Sequence, residues 1–285
     1  MSKESNLQYH SDLSRVSNTM LTTLKRSPKE FQERYITQNW VEKDQKAFRI
    51  GNMVHCLSLE PLEFDARYIA AEKHDRRTNV GKDAWTEFVK RAGDRQVVDP
   101  EEAELAMVCA RNLIRHPDFG DFFAYRRNSA VIEERINFTL HGVDCRCKPD
   151  MLIPELGLIL DVKTTADASP EAFARSVAKW GYARQHAFYC EGARQKYGID
   201  FRFLLCVVST NRPHETACYE LSPASIDIAN VELAALLDDY KRRRDSNDWL
   251  STWSRGIVSL DLPRYYNANI LVDSDEEETE LEVAA

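Results

Sequence analysis

The segment from Pro149 to Lys163 constrains the fold more than any other part of this chain. It reads Pro149-Asp150, then ten mostly apolar residues, then Asp161-Val162-Lys163. Residues 157–163 are almost wholly apolar apart from these charges, which is typical of a buried central strand. Because side chains alternate along a strand, Asp161 and Lys163 project from one face, roughly 6–7 Å apart. Charged groups on a buried strand must be paired with opposite charges or bind a metal.

This arrangement suits metal-assisted cleavage of a phosphodiester. We expect Asp150 to end the neighbouring strand, so that its carboxylate and that of Asp161 converge on one hard divalent cation. Mg²⁺ suits oxygen ligands and phosphate substrates, with Mn²⁺ as a substitute, and the Val162 carbonyl is a further candidate ligand. Lys163 would orient the attacking water or stabilise the developing charge. A plain salt bridge on an ordinary strand is the alternative reading of Asp-x-Lys alone.

Helical patterns predominate before residue 125. They predict helices near 17–28, 29–40, 46–60, 83–92 and 101–115, with Ser17 as the N-cap of the first. The polar stretch 72–82 predicts a loop.

The pattern then changes to the period of two that predicts strands. Apolar and polar residues alternate from Ile132 to Leu140, and His141-Gly142 predicts a two-residue turn. A second strand is predicted over 143–152, and its polar face would carry Asp144, Arg146, Lys148 and Asp150.

The remaining elements complete an α/β pattern. We predict a long helix over 170–197 that is broken at Gly181, strands over 201–209 and 215–221, and a final helix over 223–245. This order predicts a small mixed sheet flanked by helices. A helical N-terminal region, 1–125, would pack on a core formed by 126–265, and an acidic tail, 266–285, would be disordered.

Charge and cysteine content narrow the class of protein. The net charge is −8, but seven of the 46 acidic residues lie in the tail, so the rest of the chain is close to neutral. A tail of this kind is also a candidate competitor of DNA for a basic groove.

The seven cysteines include no C-x-x-C pair, which favours reduced packing cysteines over disulfides, zinc or an iron–sulfur cluster. No apolar run is long enough to span a membrane, and we expect a cytoplasmic protein of bacterial or phage origin.

Several motifs together resemble one nuclease family. The run 145–150, Cys-Arg-Cys-Lys-Pro-Asp, and the run 160–167, Leu-Asp-Val-Lys-Thr-Thr-Ala-Asp, closely resemble the RecE (exonuclease VIII) family of PD-(D/E)xK nucleases, within their RecB-like group. Gly51 to His55 is similar to the helical G-x-x-x-H motif of that group, and Gln185 to Tyr189 to its Q-x-x-x-Y motif. The resemblance covers roughly 16–260 and implies a restriction-endonuclease-like core.

The resemblance implies further active-site residues. It makes His55 a metal ligand or active-site residue, although a lone helical histidine is more often a core residue. Gln185 and Tyr189 would face the site, contacting substrate or steadying Lys163, although a surface or core pair is the alternative. Glu134 lies on the apolar side of its predicted strand and is the expected site neighbour, with Glu133 as the competitor if the register slips by one.

Weaker signals concern contact with DNA. Candidates for holding the strand or its 5′ phosphate are Ser17, Lys25, Arg76, Arg77 and Lys148. The basic run from Lys241 to Arg244 is a further candidate, although cations at a helix C-terminus are usually solvated.

By resemblance to RecE, the expected function is a Mg²⁺-dependent exonuclease. It would degrade the 5′-ended strand of linear double-stranded DNA and leave a 3′ overhang for recombination or repair. A ring-shaped homotetramer and a RecT-like single-strand annealing protein are the implied partners. An endonuclease of the same superfamily and a catalytically inactive DNA-binding module are the alternatives.

Overall fold

The structure is a computed structural model that describes residues 9, 11–41, 45–72, 74–75, 77–125 and 129–262. The chain divides into two compact units, Met1–Asp248 and Trp249–Ala285. In the second unit, the described residues include one 3₁₀ turn, Thr252–Ser254. The predicted acidic tail lies outside the described residues, and the predicted division at residue 125 stays a prediction.

The helices of the first unit are α1 (Asn18–Arg26), α2 (Pro28–Phe31), α3 (Lys46–Leu59), α4 (Phe64–Arg67), α5 (Asn79–Ala92), α6 (Pro100–Ile114), α7 (Gly120–Tyr125), α8 (Pro170–Trp180), α9 (Tyr182–Tyr197) and α10 (Pro223–Ser246). A π-helical turn, Gln32–Ile36, continues α2, and 3₁₀ turns lie at Pro61–Glu63 and Pro154–Leu156. Ser17 caps α1 as predicted, because its Oγ accepts a hydrogen bond from the Met20 amide at 3.3 Å. None of the helices in the described part of the chain is both long and apolar enough to cross a bilayer.

The strands are β1 (Tyr68–Ala70), β2 (Gln96–Val98), β3 (Val131–Ile132), β4 (Ile136–Leu140), β5 (Val143–Cys147), β6 (Met151–Ile153), β7 (Leu158–Thr165), β8 (Arg202–Ser209) and β9 (Thr216–Tyr219). The main sheet has the order β3-β6-β7-β8-β9, with β7 and β8 parallel and the other pairs antiparallel. The predicted α/β fold with a small mixed sheet is therefore confirmed.

Helices cover both faces of this sheet. One face packs on α3 and α6 in a core that includes Met53, Val54, Ala106, Leu160 and Val162. The residues of β7 that alternate with these, Ile159, Asp161 and Lys163, point to the opposite face. There α9 contributes Gln185, whose amide reaches Asp161. The two catalytic candidates of β7 therefore lie between the sheet and α9.

Two predicted strands are each broken in the structure. The strand predicted over 132–140 ends at Ile132 and resumes at Ile136, because Glu133 takes a positive φ of 48°. The strand predicted over 143–152 stops at Cys147 and resumes at Met151. Asp144, Arg146, Lys148 and Asp150 therefore do not form one continuous polar face, since Pro149 cannot donate a ladder hydrogen bond and the chain turns there. β4 and β5 form a separate hairpin through the predicted turn His141-Gly142, whose φ angles are both positive.

Other boundaries differ in smaller ways. The helix predicted over 29–40 ends at Ile36. Helix α5, which Thr78 caps, begins within the predicted loop 72–82. The short parallel pair β1–β2 and the short helices α4 and α7 were not predicted. The break at Gly181 between α8 and α9 is confirmed, with φ at 70°. All seven cysteines are free, as predicted.

Candidate active site

Asp150 and Asp161 lie side by side, as the sequence predicts. β6 and β7 are antiparallel with Met151 opposite Leu160, so the residue before β6 falls next to Asp161. The Val162 amide donates a hydrogen bond to Asp150 Oδ2 at 2.8 Å. In a strand, the N–H and C=O of one residue point to the same neighbouring strand. The Val162 carbonyl therefore also faces the side on which Asp150 lies.

Asp161 is fully buried, and its two oxygens have different partners. Gln185 Nε2 donates a hydrogen bond to Oδ1 at 2.9 Å. Oδ2 is ion-paired with the Lys163 ammonium. A carboxylate oxygen has more than one lone pair, so Oδ2 can bind a cation while it stays paired with Lys163. Gln185 thus reaches the site, as the resemblance implies.

His55 joins two carboxylates at this site. Its Nε2 lies 2.9 Å from Asp150 Oδ1, and its Nδ1 lies 3.1 Å from Glu133 Oε1. Helix α3 can come this close because of Gly51, where a Cβ would lie 3.3 Å from Thr164 Oγ1. His55 therefore lies at the candidate active site. Since both nitrogens are bonded to carboxylates, its role as a metal ligand stays a prediction.

Glu133, and not Glu134, is the glutamate at the site. The positive φ of Glu133 turns its side chain inward, where it bonds to His55 and lies 3.2 Å from Lys148 Nζ. Glu134 is 44% exposed and is ion-paired with Lys196 on the surface. The expectation for Glu134 is wrong because the alternation on which it rests stops at Glu133. Glu133, the competing candidate from the sequence, lies at the candidate site instead.

Lys163 is held between the carboxylates and an aromatic ring. Its Nζ lies 4.8 Å from the ring centroid of Tyr182, which is a cation–π contact. Tyr182 was not predicted as a site residue. It precedes Gln185 by three positions on α9, so helical spacing could have indicated it once Gln185 was placed.

Tyr189 packs beneath the site. Its ring centroid is 6.3 Å from that of Phe203 and 6.5 Å from that of Phe188. Burial raises the pKa of Tyr189 well above its usual value, and nearby acidic groups that include Asp161 add to the rise. Its hydroxyl therefore stays protonated, and substrate contact by Tyr189 stays a prediction.

The charges of the site influence one another strongly. Burial raises the pKa of Asp161 to about 6, and the charge of Asp150 adds to the rise while Lys163 opposes it. Burial acts in the same direction on Asp150, but His55 and Lys163 outweigh it and lower its pKa. Burial acts to lower the pKa of His55, yet the carboxylates of Asp150 and Glu133 raise it to about 10. Asp150 is thus the more readily ionised of the two aspartates.

The donor set fits a hard divalent cation. Among the described residues, no group of three or more His, Cys, Asp or Glu side chains is arranged to hold a metal ion. Mg²⁺ does not require one, since it usually keeps several waters and binds one or two protein carboxylates. Asp150, Asp161 and the Val162 carbonyl supply oxygen ligands of this kind, and apart from the Lys163 ammonium no described group bonds to Asp161 Oδ2.

The structure gives most of the DNA-contact candidates partners within the protein. The Ser17 hydroxyl caps α1, Lys25 Nζ lies 3.1 Å from Glu232, and Lys148 is paired with Glu133. Arg77 is exposed in the turn before α5, and Arg76 lies outside the described residues. The run from Lys241 to Arg244 is paired with neighbouring acids of α10, which fits the reading of a solvated helix end.

Comparison with known proteins relates this chain to a family by sequence and to a solved structure by fold. Residues 17–250 match a protein-family model described as PDDEXK-like domain of unknown function (DUF3799). The fold is similar to the crystal structure of an Eubacterium rectale protein described as a "Putative exonuclease", with a TM-score of 0.63 and 16% identity over 92% of this chain and 96% of that chain. No curated protein matches the sequence.

Proposed function

We propose that this chain, which belongs to the family of PDDEXK-like domains, is a metal-dependent nuclease that hydrolyses DNA. The observation that carries the proposal is the convergence of Asp150 and Asp161 beside Lys163, fixed by the hydrogen bond from the Val162 amide to Asp150. Nucleases of this class generally use divalent cations. We propose Mg²⁺ here, with Mn²⁺ as a substitute.

Each residue of the site has a defined part in this proposal. Asp150, Asp161 and the Val162 carbonyl hold the cation, which when bound polarises the scissile phosphate and acidifies a water. Lys163 orients the attacking water or stabilises the charge that develops on the phosphate. Gln185 fixes the Asp161 carboxylate, and Tyr182 fixes the Lys163 ammonium. Such positioning keeps the reacting groups in place without rearrangement.

His55 and Glu133 support the first aspartate. His55 donates to Asp150 from one nitrogen and to Glu133 from the other, and Lys148 holds Glu133 from the far side. A chain of this kind sets the orientation of a ligating carboxylate. We therefore assign Glu133 as a positioning residue.

The finer proposal is an exonuclease that degrades the 5′-ended strand of linear duplex DNA. It is supported by the motifs shared with the RecE family and by the description of the similar E. rectale structure. The test is digestion of linear duplexes labelled at either the 5′ or the 3′ end, with and without Mg²⁺. Early release of the 5′ label supports the proposal, and early release of the 3′ label contradicts the polarity.

Closed circular duplex DNA separates the two kinds of nuclease. An exonuclease needs an end and leaves the circle intact. Nicking or linearisation of the circle would instead support an endonuclease of the same superfamily, since the same carboxylates and lysine serve both reactions.

Assembly and partners are proposed on the resemblance alone. We propose a homotetrameric ring, cytoplasmic, that passes the 3′ overhang to a RecT-like annealing protein during recombination or repair. A ring allows basic residues to line a channel although the chain carries a net charge of −8. Light scattering on the purified protein should give four times the 32.9 kDa of one chain, and a monomeric mass would contradict the ring.

A further inference from the structure

An exposed tryptophan begins the junction between α8 and α9. Trp180 is the last residue of α8 and is 45% exposed. An exposed indole offers a large flat ring on which a ligand can stack. Other exposed aromatic residues occur in the described part of the chain, and the location of Trp180 is what distinguishes it.

The backbone of Trp180 is close to an element that contacts the candidate active site. Tyr182, whose ring lies 4.8 Å from Lys163 Nζ, follows Trp180 by two residues. Two residues span at most about 7 Å of backbone. The α8–α9 junction therefore brings the backbone of Trp180 close to a residue that contacts Lys163.

The junction that carries Trp180 is firmly held. Gly181 adopts the left-handed conformation that turns the chain from α8 into α9. Phe173 of α8 is buried and packs 6.1 Å from Tyr182 and 5.2 Å from Tyr219, between ring centroids. The backbone at Trp180 is thus anchored by the core of the protein.

Positive charge accompanies the tryptophan. Lys179 Nζ lies 4.8 Å from the centroid of the Trp180 ring. Arg175 precedes Lys179 by four residues, so both lie on one exposed face of α8. Both side chains are exposed, and the charge of Arg175 also acts on Asp167. Exposed cations close to an exposed indole suit a ligand with both phosphates and flat rings.

We propose that Trp180 stacks on a nucleobase of the strand being cut, while Lys179 and Arg175 contact its phosphates. This inference rests on the proposed nuclease function and adds that the base at the site has an uncovered face. A base inside a duplex has both faces covered by its neighbours, so stacking on a side chain requires an unpaired base or the terminal base of a duplex. Aromatic stacking of this kind tolerates any base, which suits an enzyme that must degrade every sequence.

The test is binding of a short fluorescein-labelled single-stranded DNA in EDTA, followed by fluorescence anisotropy. EDTA prevents hydrolysis, so binding is measured apart from catalysis. Trp180→Ala should weaken binding about 5- to 150-fold, the range expected for the loss of one stacked base, and Trp180→Phe should retain most of the affinity. Wild-type affinity in Trp180→Ala would overturn the inference while leaving the nuclease proposal intact. Failure of the wild type to bind or cleave DNA would overturn both.

Two controls separate stacking from other effects. Trp40→Ala is the matched variant, because Trp40 is also exposed and carries a cation, Arg34, 4.6 Å from its ring centroid. It should bind as the wild type does. With an oligonucleotide whose sugars lack bases, wild type and Trp180→Ala should bind equally, and a persistent difference would show that Trp180 does not stack on a base.

Phosphate contact by the cations is tested separately, through the salt dependence of binding. Lys179→Gln should weaken binding of every sequence alike and reduce the slope of log affinity against log salt concentration by about 0.7. An unchanged slope would contradict phosphate contact by Lys179. A change in the oligomeric mass of Trp180→Ala would indicate that the tryptophan instead contacts a second copy of the chain, and would overturn the inference.

Discussion

At the scale of single residues, the strand period is enough to place the candidate carboxylate and lysine but not their surroundings. Asp161 and Lys163 share a face because their spacing is two, and the structure confirms this. The inward turn of Glu133 depends on a positive φ, which sequence patterns rarely reveal for a glutamate. Tyr182 and Gln185 come from α9, so their contacts with β7 depend on packing between distant segments.

The adjacent glutamates provide a direct comparison of positions. Glu133→Gln should lower activity or metal affinity about 10- to 100-fold, because it weakens the support of His55 and hence of Asp150. Glu134→Gln should stay close to wild type, because Glu134 is bonded only to surface groups in the described part of the chain. Steady-state hydrolysis at varied metal concentration measures both. Equal losses in the two variants would contradict the assignment of Glu133.

At the scale of elements, the long periodic segments were predicted well and the breaks within them less well. The apolar run of β7, the period of α9 and the Gly181 break are local signals, and the structure confirms them. The interruptions at Glu133 and at Lys148 to Asp150 were missed, because a regular alternation conceals a change of backbone direction. These interruptions are where Glu133, Lys148 and Asp150 enter the site. The segments whose backbone conformation local patterns fail to predict therefore help to form the candidate site.

The α8–α9 junction gives a prediction about stability. At Gly181 a Cβ would lie 2.5 Å from Arg184 Nη2. That guanidinium is buried and bonded to Asn18, Thr22 and Glu232, so it cannot easily move aside. Gly181→Ala should lower the free energy of unfolding by the strain of a positive φ, about 1–2 kcal/mol, plus the cost of disturbing Arg184, about 1–3 kcal/mol.

Gly198→Ala is the control for this junction. Gly198 has a similar φ of 74°, but a Cβ there would meet nothing within 4 Å. Urea denaturation of both variants isolates the contribution of Arg184 as their difference. If Gly198→Ala is as destabilised as Gly181→Ala, the crowding at Arg184 has no measurable cost.

At the scale of the whole molecule, net charge misleads about function. The chain carries −8, yet Lys179 and Arg175 are exposed on α8, while seven acids belong to the C-terminal tail. Local charge, not the total, determines where a phosphate can bind. Composition alone would therefore have argued against a nucleic-acid enzyme, whereas the order of the motifs argued for one.

Metal binding should stabilise the whole fold. A ligand that binds only the native state raises the free energy of unfolding, by about 2.7 kcal/mol at 100 times its Kd, and the melting temperature follows by several degrees. Mg²⁺ or Mn²⁺ should therefore raise the melting temperature of the wild type. Asp161→Asn should lose this metal-dependent rise, whereas Asp144→Asn, which changes an exposed aspartate of β5, should keep it. Equal rises in all three proteins would place the metal elsewhere.

The most direct test of the central claim is hydrolysis of linear duplex DNA by the wild type and by Asp161→Ala, with Mg²⁺, with Mn²⁺ and with EDTA. The wild type should release nucleotides with either metal and none in EDTA. Asp161→Ala should lose activity by about a thousandfold or more while still binding the duplex, because the loss removes a metal ligand and the partner of Lys163. Full activity of Asp161→Ala, or wild-type cleavage in EDTA, would contradict the account.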